Sequence, residues 1–218
     1  MIECKEDIIT SKATISRLPK YLRYLKQIID NGEENVSSTK MAEALCLNPI
    51  QVRKDLALIS PVSGKPKLGF AARELVAALE DFLGCNNAKD ALLIGVGGLG
   101  RTLLSYGGFK NYGLNIVAAF DIKEELINKK INGIPVFSVN KLNDIVERIN
   151  IRMGIITVPS DAAQEIADRM VESGILAIWS FAPTHLKLPD NIAVKYEDLA
   201  ASLAVLSREL KDAMNHRL

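Results

Sequence analysis

Apolar residues recur at helical spacing in the first third of the chain and in short, strand-like runs through the rest. Leu18, Leu22, Leu25, Ile28 and Ile29 share one face of a helix that Ser16 caps and Gly32 ends near Asn31. Ser37-Ser38 cap a short second helix with Met41, Ala44 and Leu45 on one face. After the turn Cys46-Leu47-Asn48, an N-cap asparagine followed by Pro49 opens a third helix carrying Ile50, Val52, Leu56 and Ile59. Pro61 to Phe70 holds two prolines and two glycines with Lys65 and Lys67 between them, the composition of a β-hairpin or wing. Three helices followed by a basic hairpin predict a winged helix-turn-helix.

A further amphipathic helix spans Ala71 to Leu83, and Gly84-Cys85-Asn86-Asn87 reads as a linker. From Ala91 strands and helices alternate. The strands are Ala91–Ile94, Ile116–Phe120, Gly154–Val158, Ile175–Trp179 and Ile192–Val194, with helices near 99–106, 140–149 and 160–173. This alternation predicts a Rossmann-like, doubly wound parallel sheet. Tyr196 to Arg217 forms a last helix with Leu199, Leu203, Leu206, Leu210 and Met214 on one face. The fold class is therefore α/β, in three parts: a winged-helix DNA-binding domain over 1–85, a nucleotide-binding domain over 86–195 and a C-terminal helix over 196–218, to which the resemblance given below assigns dimerisation.

Charge divides the chain unevenly. Between Arg17 and Arg73 ten Lys or Arg stand against five Asp or Glu, whereas the whole chain carries only +1. An excess of positive charge confined to one domain points to a polyanionic partner for that domain. Cys4, Cys46 and Cys85 are scattered, with no zinc or disulfide pattern, as expected of a cytoplasmic protein without a metal site. No signal peptide or membrane span is expected.

Leu92-Leu93-Ile94-Gly95-Val96-Gly97-Gly98-Leu99-Gly100-Arg101 is a G-x-G-x-x-G turn directly after an apolar run. Gly95 allows the tight turn, Gly97 lets pyrophosphate approach the backbone, and Gly100 lets the helix pack closely on the strand. The free N–H groups of that helix start suit an anion. Asp121 closes the next apolar run, where a carboxylate accepts from ribose hydroxyls and repels the extra phosphate of NADP; the expected ligand is NADH or NAD+. Val158-Pro159 lies at the carboxyl edge of another strand and joins the candidate site. The alternatives are a glycine turn without ligand, a Rossmann domain for coenzyme A and, for Val158-Pro159, an ordinary strand-to-helix turn.

Gln51, Arg53 and Lys54 fall in the first turns of the third helix, where a recognition helix meets the major groove. Glutamine can read adenine with both amide atoms, and arginine can read guanine or clamp phosphate. Ser38 at the second helix and Lys65 and Lys67 on the wing complete the candidate DNA-binding set. The competing reading is a solvated basic face. For catalysis only His185 and His216 exist; His185 sits in a loop after a strand and His216 in the tail. With no convincing acid/base and no room for a substrate domain, no catalytic residue is assigned, and the cofactor is expected to act as an effector. The alternative is a small NAD-dependent oxidoreductase with a basic appendage.

These residues together resemble the redox-sensing transcriptional repressor Rex family over nearly the whole chain. The resemblance is carried by Arg17-Leu18-Pro19 with Tyr21-Leu22, Ser37-Ser38, Gln51-Val52-Arg53-Lys54-Asp55-Leu56, the turn Gly95 to Gly100 with Arg101, and Tyr106 before Gly108-Phe109. Ala118-Ala119-Phe120-Asp121, Val158-Pro159, Ala163-Gln164 and Phe181-Ala182-Pro183 complete it. It implies a homodimer that binds a palindromic double-stranded operator when NADH is scarce and releases it when NADH rises, with the C-terminal helix exchanged between subunits. It further implies that Tyr106 and Phe181 lie near the nicotinamide, and that Asp198 pairs across the dimer with Arg17 in one state. Core aromatics and a first-turn helix acid are the plainer readings of those three. Ser180 and Gly69-Phe70 depart from the family pattern, which has asparagine and Gly-Tyr there.

Overall fold

The computed structural model describes residues 11–59, 69–86 and 89–215. The chain divides into two compact units, Met1–Asn87 and Ala88–Leu218.

In the first unit α1 (Lys12–Asp30) is followed by β1 (Asn35–Val36), α2 (Ser38–Leu45) and α3 (Pro49–Ile59). The short strand β2 (Phe70–Ala71) pairs antiparallel with β1 and leads into α4 (Ala72–Phe82). The apolar stripe of α1 is buried except for the partly buried Ile29, with Leu18, Tyr21, Leu22 and Leu25 packed among Val52, Leu56, Leu75 and Leu79. Each such side chain contributes about 1.5–3 kcal/mol on leaving water, so the stripe alone orders α1 against α3 and α4. Helix α1 begins earlier than the sequence suggests. Ser11 is its cap, accepting the Thr14 N–H at 3.1 Å, while Ser16 donates to the Ala13 carbonyl from inside the helix. The helix carries Pro19 in its interior. Cys46 ends α2 in the left-handed region at φ 53°, making the turn into α3. The wing expected over 61–70 lies outside the described residues except for Gly69 and Phe70.

The second unit opens with β3 (Lys89–Ile94), α5 (Gly98–Ser105), a 3-10 turn over Gly107–Tyr112 and β4 (Leu114–Asp121). Then come β5 (Lys130–Ile131), β6 (Ile134–Ser138), α6 (Leu142–Ile149) and β7 (Met153–Ile156). It ends with α7 (Ser160–Glu172), β8 (Ala177–Ser180), β9 (Ala193–Tyr196) and α8 (Leu199–Asn215). The strand order is β5-β6-β4-β3-β7-β8-β9, parallel throughout except for the β5-β6 pair. Successive residues of β3 face opposite ways: Leu92 and Ile94 join the core under α6 and α7, and Leu93 joins the core under α5. Helices thus cover both faces, as a doubly wound sheet requires.

The β5-β6 hairpin was not expected from the sequence. Its turn is Asn132-Gly133, both at positive φ (50° and 83°), an Asn-Gly signal flanked by apolar residues. Ile175 belongs to the turn before β8, and α8 begins at Leu199 where Tyr196 was expected. Leu203, Leu206, Leu210 and Met214 on α8 are about 60% exposed, so this part of its apolar stripe has no cover among the described residues.

Candidate functional site

The chain runs outward from β3 to β4 and β6, then returns to β7 on the other side of β3. The reversal leaves a crevice at the carboxyl ends of β3 and β7, the place where open α/β sheets bind ligands. A cavity of about 840 Å³ lies there. Its lining includes Gly95, Val96, Gly97, Gly98, Arg101, Asp121, Val158 and Pro159. The structure therefore brings together eight of the predicted dinucleotide residues. Gly100, packed against the turn, and Leu99, exposed on α5, are not in that lining.

The turn is built to be rigid and open. Gly95 sits at φ +100°, and a Cβ there would lie 2.9 Å from the Thr157 backbone. At Gly100 a Cβ would meet the Gly95 carbonyl oxygen at 2.0 Å, so α5 packs directly on the turn. Gly97, by contrast, has nothing within 4 Å of its Cβ position and leaves space for a ligand's phosphates. No side chain caps α5, whose N-cap is Gly97. Thr157 closes the back of the turn by donating to the Gly95 carbonyl at 2.6 Å.

Asp121 is buried, and its carboxylate already has two partners. One oxygen accepts the Val96 N–H at 2.7 Å and the other the Lys123 N–H at 2.9 Å. Each oxygen keeps a lone pair for a ribose hydroxyl. Arg101 donates to the Val96 carbonyl at 3.2 Å from α5. The residues present therefore fit an adenine dinucleotide: an open phosphate site, a fixed carboxylate and an apolar floor of Ile94, Leu126 and Ile166.

Tyr106 and Phe181 are placed differently. They begin and end a row of rings: Tyr106 to Phe109 (4.9 Å), Phe109 to Trp179 (5.5 Å) and Trp179 to Phe181 (4.8 Å). Tyr106 is 60% exposed and lines a separate cavity of about 470 Å³. Neither ring lines the glycine-turn cavity in this single chain. Trp179, which precedes the departure from the family pattern at Ser180, joins Phe109 to Phe181 in the row and donates to Glu197 at 3.2 Å.

The first unit holds the candidate nucleic-acid interface. Arg53 and Lys54 are exposed on α3, beside the exposed Ile50. Gln51 is half-buried, and its Nε2 donates to Asp55 Oδ1 at 2.8 Å. Ser38 does not stand with the exposed group: it is buried in the first turn of α2, and Ser37 is the cap, accepting the Lys40 N–H. Lys65 and Lys67 lie outside the described residues.

Sequence reasoning gave no role to Asp55, the most heavily bonded side chain described in this unit. It is fully buried on α3 and takes Arg17 on both oxygens, Nε to Oδ2 at 2.7 Å and Nη2 to Oδ1 at 2.9 Å. Tyr21 Oη donates to Oδ2 at 2.8 Å, and Thr14 reaches Oδ1 at 3.4 Å. Burial raises the carboxyl pKa, but the hydrogen bonds from Arg17, Tyr21 and Gln51 outweigh it and hold the group below the ordinary carboxylate range. Burial, reinforced by the bond to Asp55, pushes the Tyr21 hydroxyl up to about 12. An aspartate four residues after a glutamine, one turn on along the same helix face and next to the buried Leu56, was the available signal. Arg17, assigned to a dimer switch with Asp198, is thus held within its own unit. Asp198 is the N-cap of α8, accepting the Ala201 N–H at 2.9 Å.

A helix-turn-helix unit joined to a Rossmann unit with a formed dinucleotide cleft defines a nucleotide-responsive DNA-binding protein rather than a single-domain enzyme. Known proteins of similar sequence and fold belong to that class. Residues 10–57 match the family model described as putative DNA-binding protein N-terminus, and residues 86–184 the one described as CoA binding domain. The chain is 43% identical to the redox-sensing transcriptional repressor Rex of Treponema denticola, over 91% of this chain and 94% of that one. It is 38% identical to Rex of Porphyromonas gingivalis, over 94% of each. Among solved structures it matches RSP, a Rex-family repressor, in complex with β-NAD+ and operator DNA, with 34% identity, a TM-score of 0.88 and 96% of both chains covered. RSP in complex with β-NADH matches with a TM-score of 0.87, covering 96% of this chain and 98% of that one. The chain belongs to the Rex family of redox-sensing transcriptional repressors.

Proposed function

We propose that this chain represses transcription by binding operator DNA as a homodimer and that NADH, seated in the crevice between β3 and β7, releases it. The reading rests on one observation: a single chain joins a formed dinucleotide cleft, with Asp121 fixed on the glycine turn, to a helix-turn-helix whose third helix exposes Arg53 and Lys54. Relatives crystallised with NADH, and with NAD+ and operator DNA, support the same assignment.

Residues 1–85 are assigned to DNA binding, 86–195 to NAD(H), and 196–218 to dimerisation through the uncovered stripe of α8. In the cleft Gly97, Gly98 and the start of α5 receive the pyrophosphate, with Arg101 beside them. Asp121 receives the ribose hydroxyls, and its charge disfavours ligands with a phosphate on that ribose, both NADP(H) and coenzyme A. Val158 and Pro159 border the path toward the nicotinamide, and Tyr106 and Phe181 are assigned to its surroundings in the dimer. Reduced nicotinamide is neutral and oxidised nicotinamide is a cation, so an aromatic, poorly hydrated environment penalises the oxidised form. A difference of about 1.4 kcal/mol gives tenfold selectivity.

Release requires that NADH favour a dimer geometry unfit for DNA, since equal affinity for two states shifts neither. Moving occupancy from 1:99 to 99:1 takes roughly 5.5 kcal/mol, which two sites per dimer can share. Asp198 of one subunit and Arg17 of the other are assigned to the element that differs between the two states. Gln51, Arg53, Lys54, Lys65 and Lys67 are the DNA-facing set, and the cytoplasm is the compartment such a repressor needs. Among the described residues no helix is long and apolar enough to cross a membrane, and no group of His, Cys, Asp and Glu could hold a metal.

The test is a mobility shift on the chain's own promoter region with and without NADH, beside a thermal-shift comparison of NADH, NADPH and coenzyme A. Release and stabilisation by NADH alone support the reading. Turnover of NADH with a 2-oxo acid in place of release would support the oxidoreductase.

A further inference from the structure

The buried carboxylate of Asp55 does more than join α1 to α3. Gln51 stands one helical turn before it on the same face, and its amide nitrogen lies 2.8 Å from Oδ1. A carboxylate can only accept hydrogen bonds, so it fixes which way the amide points: the NH2 end inward, the Oε1 end away. The other Asp55 oxygen is held by Arg17 and Tyr21, both anchored in α1. Asp55 therefore cannot turn to release the amide without breaking its bonds to both.

We propose that Asp55 is a positioning residue for base recognition, acting through Gln51. This rests on the operator-binding reading above. With one N–H committed to Asp55, Gln51 still offers a second N–H and its carbonyl oxygen. That pair matches adenine, whose N7 accepts and whose N6 donates in the major groove. The amide reaches the DNA with its polarity already chosen, so guanine, which shows the acceptor O6 where adenine shows the donor N6, meets a fixed carbonyl and is rejected. Arg53 and Lys54, exposed on the same helix, provide phosphate attraction that is indifferent to sequence.

The experiment begins with selection of a site from a randomised duplex library on the full-length chain. Each selected position is then substituted singly, and affinities are measured at constant salt. Failure of the wild-type chain to select any sequence overturns the operator-binding reading itself. If a site is selected, Gln51→Ala and Asp55→Asn each lower discrimination at the same A·T position by about tenfold, and the double variant loses no more than either alone. Tyr21→Phe, which touches the other oxygen of Asp55, lowers the melting temperature and leaves discrimination intact. Unchanged discrimination in Asp55→Asn, or equal loss in Tyr21→Phe, overturns the proposal in favour of a purely structural role. Should Asp55→Asn not fold, the side-chain amide protons of Gln51 in the wild-type protein decide. One proton protected from exchange and one free supports the proposal; two freely exchanging protons overturn it.

Discussion

The carboxylate of Asp121 accepts the backbone N–H of Val96 at 2.7 Å, tying the end of β4 to the first residue inside the glycine turn. The same group that should select the ribose thus also shapes the phosphate loop. Asp121→Asn removes the charge and leaves a single acceptor oxygen, so only one of the two backbone N–H bonds, to Val96 or to Lys123, survives. NADH affinity should fall roughly tenfold to a hundredfold, through loss of a charge-assisted bond of roughly 1.5–3 kcal/mol, while NADPH affinity falls less. Calorimetric titration with both nucleotides checks the pair of outcomes.

Gly97 and Gly100 separate binding from folding. Gly97→Ala adds a methyl group where nothing lies within 4 Å, so melting should be nearly unchanged while NADH binding weakens tenfold or more. Gly100→Ala forces a methyl against the Gly95 carbonyl and should destabilise the second unit by about 1–3 kcal/mol. Urea melts with and without NADH distinguish the two.

The Asp55 cluster makes the first unit sensitive to both pH extremes. Tyr21 has its pKa raised from 10.0 to about 12, so its contribution is complete below pH 10 and is lost as pH rises toward 12. Asp55 is shifted the other way: its contribution is complete above the ordinary carboxylate pKa near 4 and is lost as pH falls further. Tyr21→Phe should therefore remove the alkaline loss and keep the acid one, read by tyrosine-independent melting across the pH range.

Arg17→Met leaves Asp55 buried with only neutral donors. Because the Arg17 side chain is 20% exposed, the cost should fall somewhat below the roughly 3–5 kcal/mol of a fully buried pair. The first unit should melt early while NADH binding to the second is unaffected.

Arg53→Ala and Lys54→Ala should each weaken operator binding at all sequences alike. Each should also reduce the slope of log affinity against log salt by about 0.9 for every phosphate the side chain neutralises. Affinity measured at three or more salt concentrations checks this.

Much of this was legible in the sequence because each feature depends on local spacing. The glycine turn and Asp121 follow from single-residue requirements at fixed offsets, and the alternating strands follow from burial on both faces. Features that depend on partners distant in sequence were not legible. Asp55 lies 38 residues from Arg17, and nothing local shows that α1 would fold back to meet it. The aromatic row from Tyr106 to Phe181 likewise needs the register of β8 beside β7.

The central claim is that occupation of the cleft changes DNA affinity, and it is tested most directly by titrating NADH into the operator complex at fixed salt and following the anisotropy of labelled DNA. NADH should dissociate the complex at concentrations where NAD+ does not, and Gly97→Ala should shift that dissociation to much higher NADH while binding DNA normally. Operator affinity that stays constant as NADH saturates the protein would contradict the account.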